Sequence, residues 1–112
     1  MEISKHTQRY WQYEYDVAAK YMVPLLEEWG IVPSGMTMID VGCGEGGGVC
    51  AMHDAGMQCV GFDIEEHRVT MAKLLQGERA IGWSLGDLYA DSLPFTDRTY
   101  DVRRMRSSMV ET

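Results

Sequence analysis

The chain has 112 residues, 46% hydrophobic and 24% charged, which bounds it to one globular domain and excludes a disordered tract. A formal net charge of -7 argues against a nucleic-acid backbone as the main partner, because phosphate binding needs surplus Lys and Arg. No apolar run approaches the ~18 residues of a membrane span, and Met1 to His6 carry no signal-peptide core, so no membrane partner and a cytoplasmic location are expected.

The first predicted element is a helix from about Tyr15 to Trp29. Val17, Ala18, Tyr21, Met22, Leu25 and Trp29 recur at helical steps and form one apolar stripe. Pro24 lies inside this stretch and should kink or restart the helix near Met22-Val23. Gly30 is a plausible stop, and Val32 to Gly35 reads as a turn. Met36 to Val41 is a short apolar run that suits a strand buried on both faces of a parallel sheet. A glycine-rich loop follows, then a helical stretch to Ala55. Gln58 to Phe62 is a second strand, closed by Asp63. Glu65 to Gln76 has helical spacing, with acids in its first turn, where they suit the helix dipole. Ile81, Trp83 and Leu85 alternate as a third strand before Gly86-Asp87, and Thr99 to Val102 begins like a fourth.

Strands alternating with helices imply parallel βαβ units, whose ligands bind at the carboxyl ends of the strands. The glycine loop, Asp63 and Asp87 each fall at such an end. In Asp40-Val41-Gly42-Cys43-Gly44-Glu45-Gly46-Gly47, the glycines let the backbone turn sharply and meet a ligand without Cβ interference. Two ligand classes compete for this loop. Gly42, Gly44 and Gly47 satisfy the dinucleotide pattern G-x-G-x-x-G. Asp40, two residues before the first glycine, would repel a pyrophosphate and suits a ligand with a cationic ammonium group. S-adenosylmethionine is such a ligand. Asp63 can accept two hydrogen bonds from a ribose diol, a feature that does not separate the two ligands. An acid after the third strand, Asp87, can accept the adenine amino group; the plain alternative is an Asp in a turn.

Asp40-Val-Gly42-Cys-Gly44-Glu-Gly46 resembles motif I of class I S-adenosylmethionine-dependent methyltransferases. Val60 to Ile64 resembles the family's acidic second motif, and Gly86-Asp87-Leu88 its adenine motif. Leu93-Pro94-Phe95 and Thr99 to Val102 resemble its approach to strand four. The resemblance implies a three-layer Rossmann-like parallel sheet with an N-terminal helical segment, expected here to be truncated after about four strands. It implies a helical cap over residues 1–35 and an incomplete cofactor-binding core over 36–102, which leaves residues 103–112 as an aberrant basic tail. It also implies S-adenosylmethionine as cofactor. Asp40, Gly42, Cys43, Gly44 and Gly46 would line the methionine moiety, Asp63 the ribose, and Ile64, Asp87 and Leu88 the adenine. The aromatic stretch Tyr10 to Tyr15 resembles the family's flap over the cofactor; core packing is an equal alternative.

The chain departs from the family pattern at Arg103-Arg104-Met105-Arg106, where strand four should be apolar. Arginines do not suit a doubly covered strand, because buried unpaired charge is costly. A fragment or a change of reading frame near Val102 is expected in preference to a minimal four-stranded unit with a frayed basic tail, and either leaves an exposed sheet edge, with low stability or self-association and weak cofactor affinity. The leading activity is methyl transfer to a small-molecule acceptor. A non-catalytic S-adenosylmethionine-binding module is the alternative, and a NAD-binding oxidoreductase fragment a third. No residue stands out as catalytic: His53 and His67 fall on predicted helices and His6 lies near the terminus. Cys43, Cys50 and Cys59 show no paired metal-ligand spacing, so no metal site is expected and the thiols read as small buried hydrophobes.

Overall fold

A computed structural model describes residues 2–86 and the backbone of residues 102–105 and 108–111. The chain opens with helix α1 (Lys5–Val17), a π-helical turn (Ala18–Met22) and helix α2 (Val23–Glu28). There follow β1 (Thr37–Val41), α3 (Gly47–Asp54), β2 (Gln58–Asp63), α4 (Glu66–Leu75) and β3 (Gly82–Leu85). Val102–Met105 forms β4 and Ser108–Glu111 forms β5.

The helical region starts ten residues before the expected Tyr15, at Lys5. Ser4 caps it: its Oγ accepts the Thr7 amide at 3.1 Å, satisfying one of the free N–H groups of the first turn. Helix α1 buries no residue fully and leaves Tyr10 and Tyr13 exposed, so it lacks the fully apolar positions that marked the later helices. The helical backbone runs on through the π turn into Pro24, which has no N–H for the i→i−4 ladder, and the wider π turn just before it is where the backbone departs from regular α geometry. Gly30 and Gly56 both end helices in the left-handed region, at φ 81° and 110°. At each, the next residue's amide reaches back to the last turn: Ile31 to the Leu26 carbonyl and Met57 to the Met52 carbonyl. Both Ile31 and Met57 are buried, which adds the hydrophobic contact of such caps.

The sheet order is β3-β2-β1-β4-β5. The first four strands pair in parallel, and β5 returns antiparallel to β4. This is the Rossmann-like α/β arrangement. The order reverses between β1 and β4, and ligands of such sheets bind at that crevice. The two faces of β1 separate by alternation. Met38 joins Cys59 and Ile81 in a core with Ala18, Leu26, Val49 and Met52 of the helical layer. Ile39 and Val41 pack with Phe62 on the other face. Strand β4 is where sequence and structure part. The arginine stretch argued against a strand, yet residues 102–105 pair with β1, with Arg103 opposite Ile39 and Arg104 opposite Asp40.

The cysteines are all buried. Burial pushes the Cys50 thiol up to about 11 and Cys59 up to about 12. A thiolate is the reactive form, so at pH 8 Ellman's reagent should leave Cys50 and Cys59 unmodified until urea unfolds the chain.

Candidate functional site

Three strand tips meet at one edge of the sheet. The β1 tip carries Asp40, which is fully buried, and runs into the loop Gly42 to Gly46. The amides of Gly42 and Cys43 donate to the Phe62 carbonyl at 2.7 and 3.1 Å, which ties the loop to β2. The β2 tip carries Asp63, only 4% exposed. Its Oδ2 accepts the Gly44 amide at 2.8 Å and its Oδ1 accepts the Glu65 amide at 2.9 Å. The β3 tip is drawn in by the Gly86 amide, which donates to the Asp63 carbonyl at 3.0 Å. Ile64 follows Asp63 with 61% of its surface exposed, an apolar face left open at the strand end.

Gly42, Gly44 and Gly46 have φ of 78°, 59° and 89°. At Gly46 the requirement is steric as well as conformational. A Cβ there would fall 2.5 Å from Cη2 of Trp83 and 3.3 Å from Cβ of Ala72. Gly46 is the N-cap of α3, so this residue sets how the loop enters the helix. At the next position, a Cβ on Gly47 would collide with the carbonyl oxygen of Trp11. Backbone of α1 therefore lies directly on the start of α3.

The sequence brought Asp40, Gly42, Cys43, Gly44, Gly46, Asp63 and Ile64 to one place, and the structure does the same. Cys43 lies beneath the loop rather than on it: it is buried, with Sγ 3.6 Å from the Gly44 carbonyl oxygen. Asp87 and Leu88 lie outside the described residues. The sequence reading missed Glu45 and Arg68. Arg68 Nε lies 3.5 Å from Glu45 and 3.0 Å from Glu65, bridging the glycine loop to the start of α4. These groups border a cleft of about 400 Å³ together with His6 and Tyr10 of α1 and His67 of α4.

A second network also escaped the sequence. Arg79 grips Asp54 through two bonds of 2.8 Å, and the Tyr15 hydroxyl donates to the same carboxylate at 2.6 Å. The Arg79 guanidinium lies 5.8 Å from the ring centres of Trp11 and Tyr15, which stack on each other at 5.4 Å. The partners stand 25 and 39 residues apart, so no local pattern announces them. The network holds the second half of α1 onto α3. Part of the aromatic stretch is thus core packing, while Tyr10 faces the cleft.

The Arg79 hydrogen bonds hold the Asp54 carboxyl below the usual carboxylate range, against a smaller opposing effect of burial. The hydrogen bond to Asp54 raises the Tyr15 phenol above its ordinary value. A carboxyl depressed in the folded state stabilises the fold above its unfolded pKa and loses that contribution as pH falls through its folded pKa. Arg79→Leu should therefore cost about 1–2 kcal/mol at pH 7, between exposed and buried ion-pair values. It should also flatten the acid side of the stability curve, read from urea melts between pH 3 and 7.

The buried Asp40 carboxylate on β1 disfavours a phosphate and suits a cationic group, while Asp63 at the tip of β2 suits hydroxyls. The comparison with known proteins decides the family. Residues 39–109 match the profile of the methyltransferase-domain family. The chain belongs to that family. Its members share a class I fold and use S-adenosylmethionine as cofactor. The methyltransferase domain is similar to a solved S-adenosylmethionine-dependent methyltransferase from Mesorhizobium loti, with 25% identity and a TM-score of 0.63. That match covers 81% of this chain and 40% of the other. A TehB-like S-adenosylmethionine-dependent methyltransferase from Corynebacterium glutamicum is similar at 25% identity and a TM-score of 0.63, over 89% of this chain and 54% of that one. Magnesium protoporphyrin IX methyltransferase from Synechocystis, solved with bound S-adenosylmethionine, shares the fold at 22% identity and a TM-score of 0.62, over 94% and 50%. The chain thus spans about half or less of the length of these structures. No curated protein matches it by sequence. Among the described residues no helix is long and apolar enough to cross a membrane.

Proposed function

We infer that the chain is the cofactor-binding part of an S-adenosylmethionine-dependent methyltransferase acting on a small-molecule acceptor. The observation that carries this reading is the meeting of Asp40, the positive-φ glycine loop and Asp63 at one sheet edge. When bound, S-adenosylmethionine supplies an electrophilic methyl group on a sulfonium whose thioether departs without help from an acid. The chain's residues bind and orient. Asp40 and the Gly42, Cys43, Gly44 and Gly46 backbone hold the methionine part, with a buried carboxylate for the ammonium. Asp63 holds the ribose hydroxyls. A carboxylate offers about four lone-pair sites, and the Gly44 and Glu65 amides use two of them, so capacity remains. Ile64, Asp87 and Leu88 border the adenine. Orientation and exclusion of water supply most of the rate in such an in-line transfer.

The cleft of about 400 Å³ beside the loop supports a small acceptor, since it falls within the size range of small-molecule sites. The net charge of -7 supports the same choice over nucleic acid. The test is release of S-adenosylhomocysteine when the chain is incubated with S-adenosylmethionine and panels of small molecules, RNA and protein. Turnover with a small molecule supports the reading. Turnover confined to RNA or protein overturns the acceptor class.

A further inference from the structure

The residue that shapes the cofactor loop from below is not in any of the loop motifs. Trp83 stands in the middle of β3, opposite Gly61 of β2 in the register. A Cβ on Gly61 would lie 2.5 Å from both Cε3 and Cζ3 of the indole. The ring therefore crosses β2 over a position with no side chain. Its far end continues to the glycine loop, where Cη2 occupies the space a Cβ on Gly46 would need. The indole is pinned in this direction by its own N–H, which donates to Gln76 Oε1 at 3.0 Å at the end of α4. One rigid ring thus runs from β3 across β2 to the residue that caps α3.

We propose that Trp83 is a positioning residue for S-adenosylmethionine binding: its benzene ring sets the height and φ of Gly46. In turn that fixes the Gly44 backbone against Asp63. The proposal rests on the cofactor reading above. Two glycines make room for one side chain, and a smaller ring would leave the loop free to sink towards β2. Binding sites lose affinity when their supporting groups are loose by about 1 Å, even with every contacting group present.

Phenylalanine separates this role from simple packing. Its ring reaches the neighbourhood of Gly61 but ends short of Gly46. Trp83→Phe should keep the fold, with a melting temperature within a few degrees of the original, while the Kd for S-adenosylhomocysteine rises roughly tenfold. Gln76→Leu removes the pin and keeps the ring. It should raise the Kd about threefold and shift the Gly46 amide resonance in a nitrogen–proton correlation spectrum. Calorimetric titration of both variants and of the original chain reads all of this. If the original chain binds and both folded variants bind equally tightly with Gly46 unshifted, the positioning role is overturned. If the original chain itself fails to bind, the cofactor reading falls first. Should Trp83→Phe not fold, Gln76→Leu alone decides: an unchanged Kd overturns the proposal.

Discussion

Asp63→Asn should weaken S-adenosylhomocysteine binding by about a hundredfold and also destabilise the free chain. The two effects share one cause. Both carboxylate oxygens are acceptors in the unliganded molecule, one for the Gly44 amide and one for the Glu65 amide. A carboxamide has one acceptor oxygen and one NH2 group. Whichever way it turns, a donor faces a backbone N–H, and an unsatisfied donor at a site only 4% exposed costs about 1–3 kcal/mol. The ribose diol then loses a charged acceptor as well, and two charge-assisted bonds together account for the ~2.7 kcal/mol of a hundredfold change. Urea melts measure the first effect and calorimetry the second. Binding within threefold of the original would remove Asp63 from the ribose site.

Gly46→Ala should be among the most destabilising single-methyl changes in the molecule. A left-handed conformation costs an L-residue about 1–2 kcal/mol. The added methyl would also meet Trp83 Cη2 at 2.5 Å, an overlap that the ring cannot relieve without leaving Gln76. Overpacking of that kind costs about 1–3 kcal/mol. The sum is a large share of the ~5–15 kcal/mol that stabilises an ordinary domain. The matched control is Gly77→Ala. It has the same handedness, at φ 67°, but nothing within 4 Å of the new methyl, so it carries the conformational cost alone. A urea midpoint for Gly46→Ala no lower than that of Gly77→Ala would contradict the packing described for Trp83.

The strand tips were legible in the sequence because their signals are local. A glycine run after an apolar strand, with an acid at the end of the next, needs no tertiary information to read. Register could not be read, and so neither could the distant partners. Trp83 looked like one member of an alternating strand, and only the pairing with Gly61 sends its ring towards Gly46. Arg79 sits in a loop between α4 and β3 and gains its partners from α1 and α3. Helix α1 was recognised only from its last residues, Tyr15 to Val17, because the stretch before them is polar on average and has no fully buried residue. The arginines of β4 misled for a different reason. The cost of burying charge was weighed, but backbone pairing with β1, which depends on register and not on side-chain type, could not be read from the sequence.

On the reading proposed above, these strand tips take an adenosyl ligand with a cationic amino-acid end and refuse a diphosphate. Parallel calorimetric titrations of the full chain with S-adenosylhomocysteine and with NADH test it most directly. Saturable binding of S-adenosylhomocysteine, abolished in Asp40→Ala, with no heat from NADH, is the predicted result. Binding of NADH with none of S-adenosylhomocysteine would contradict the account.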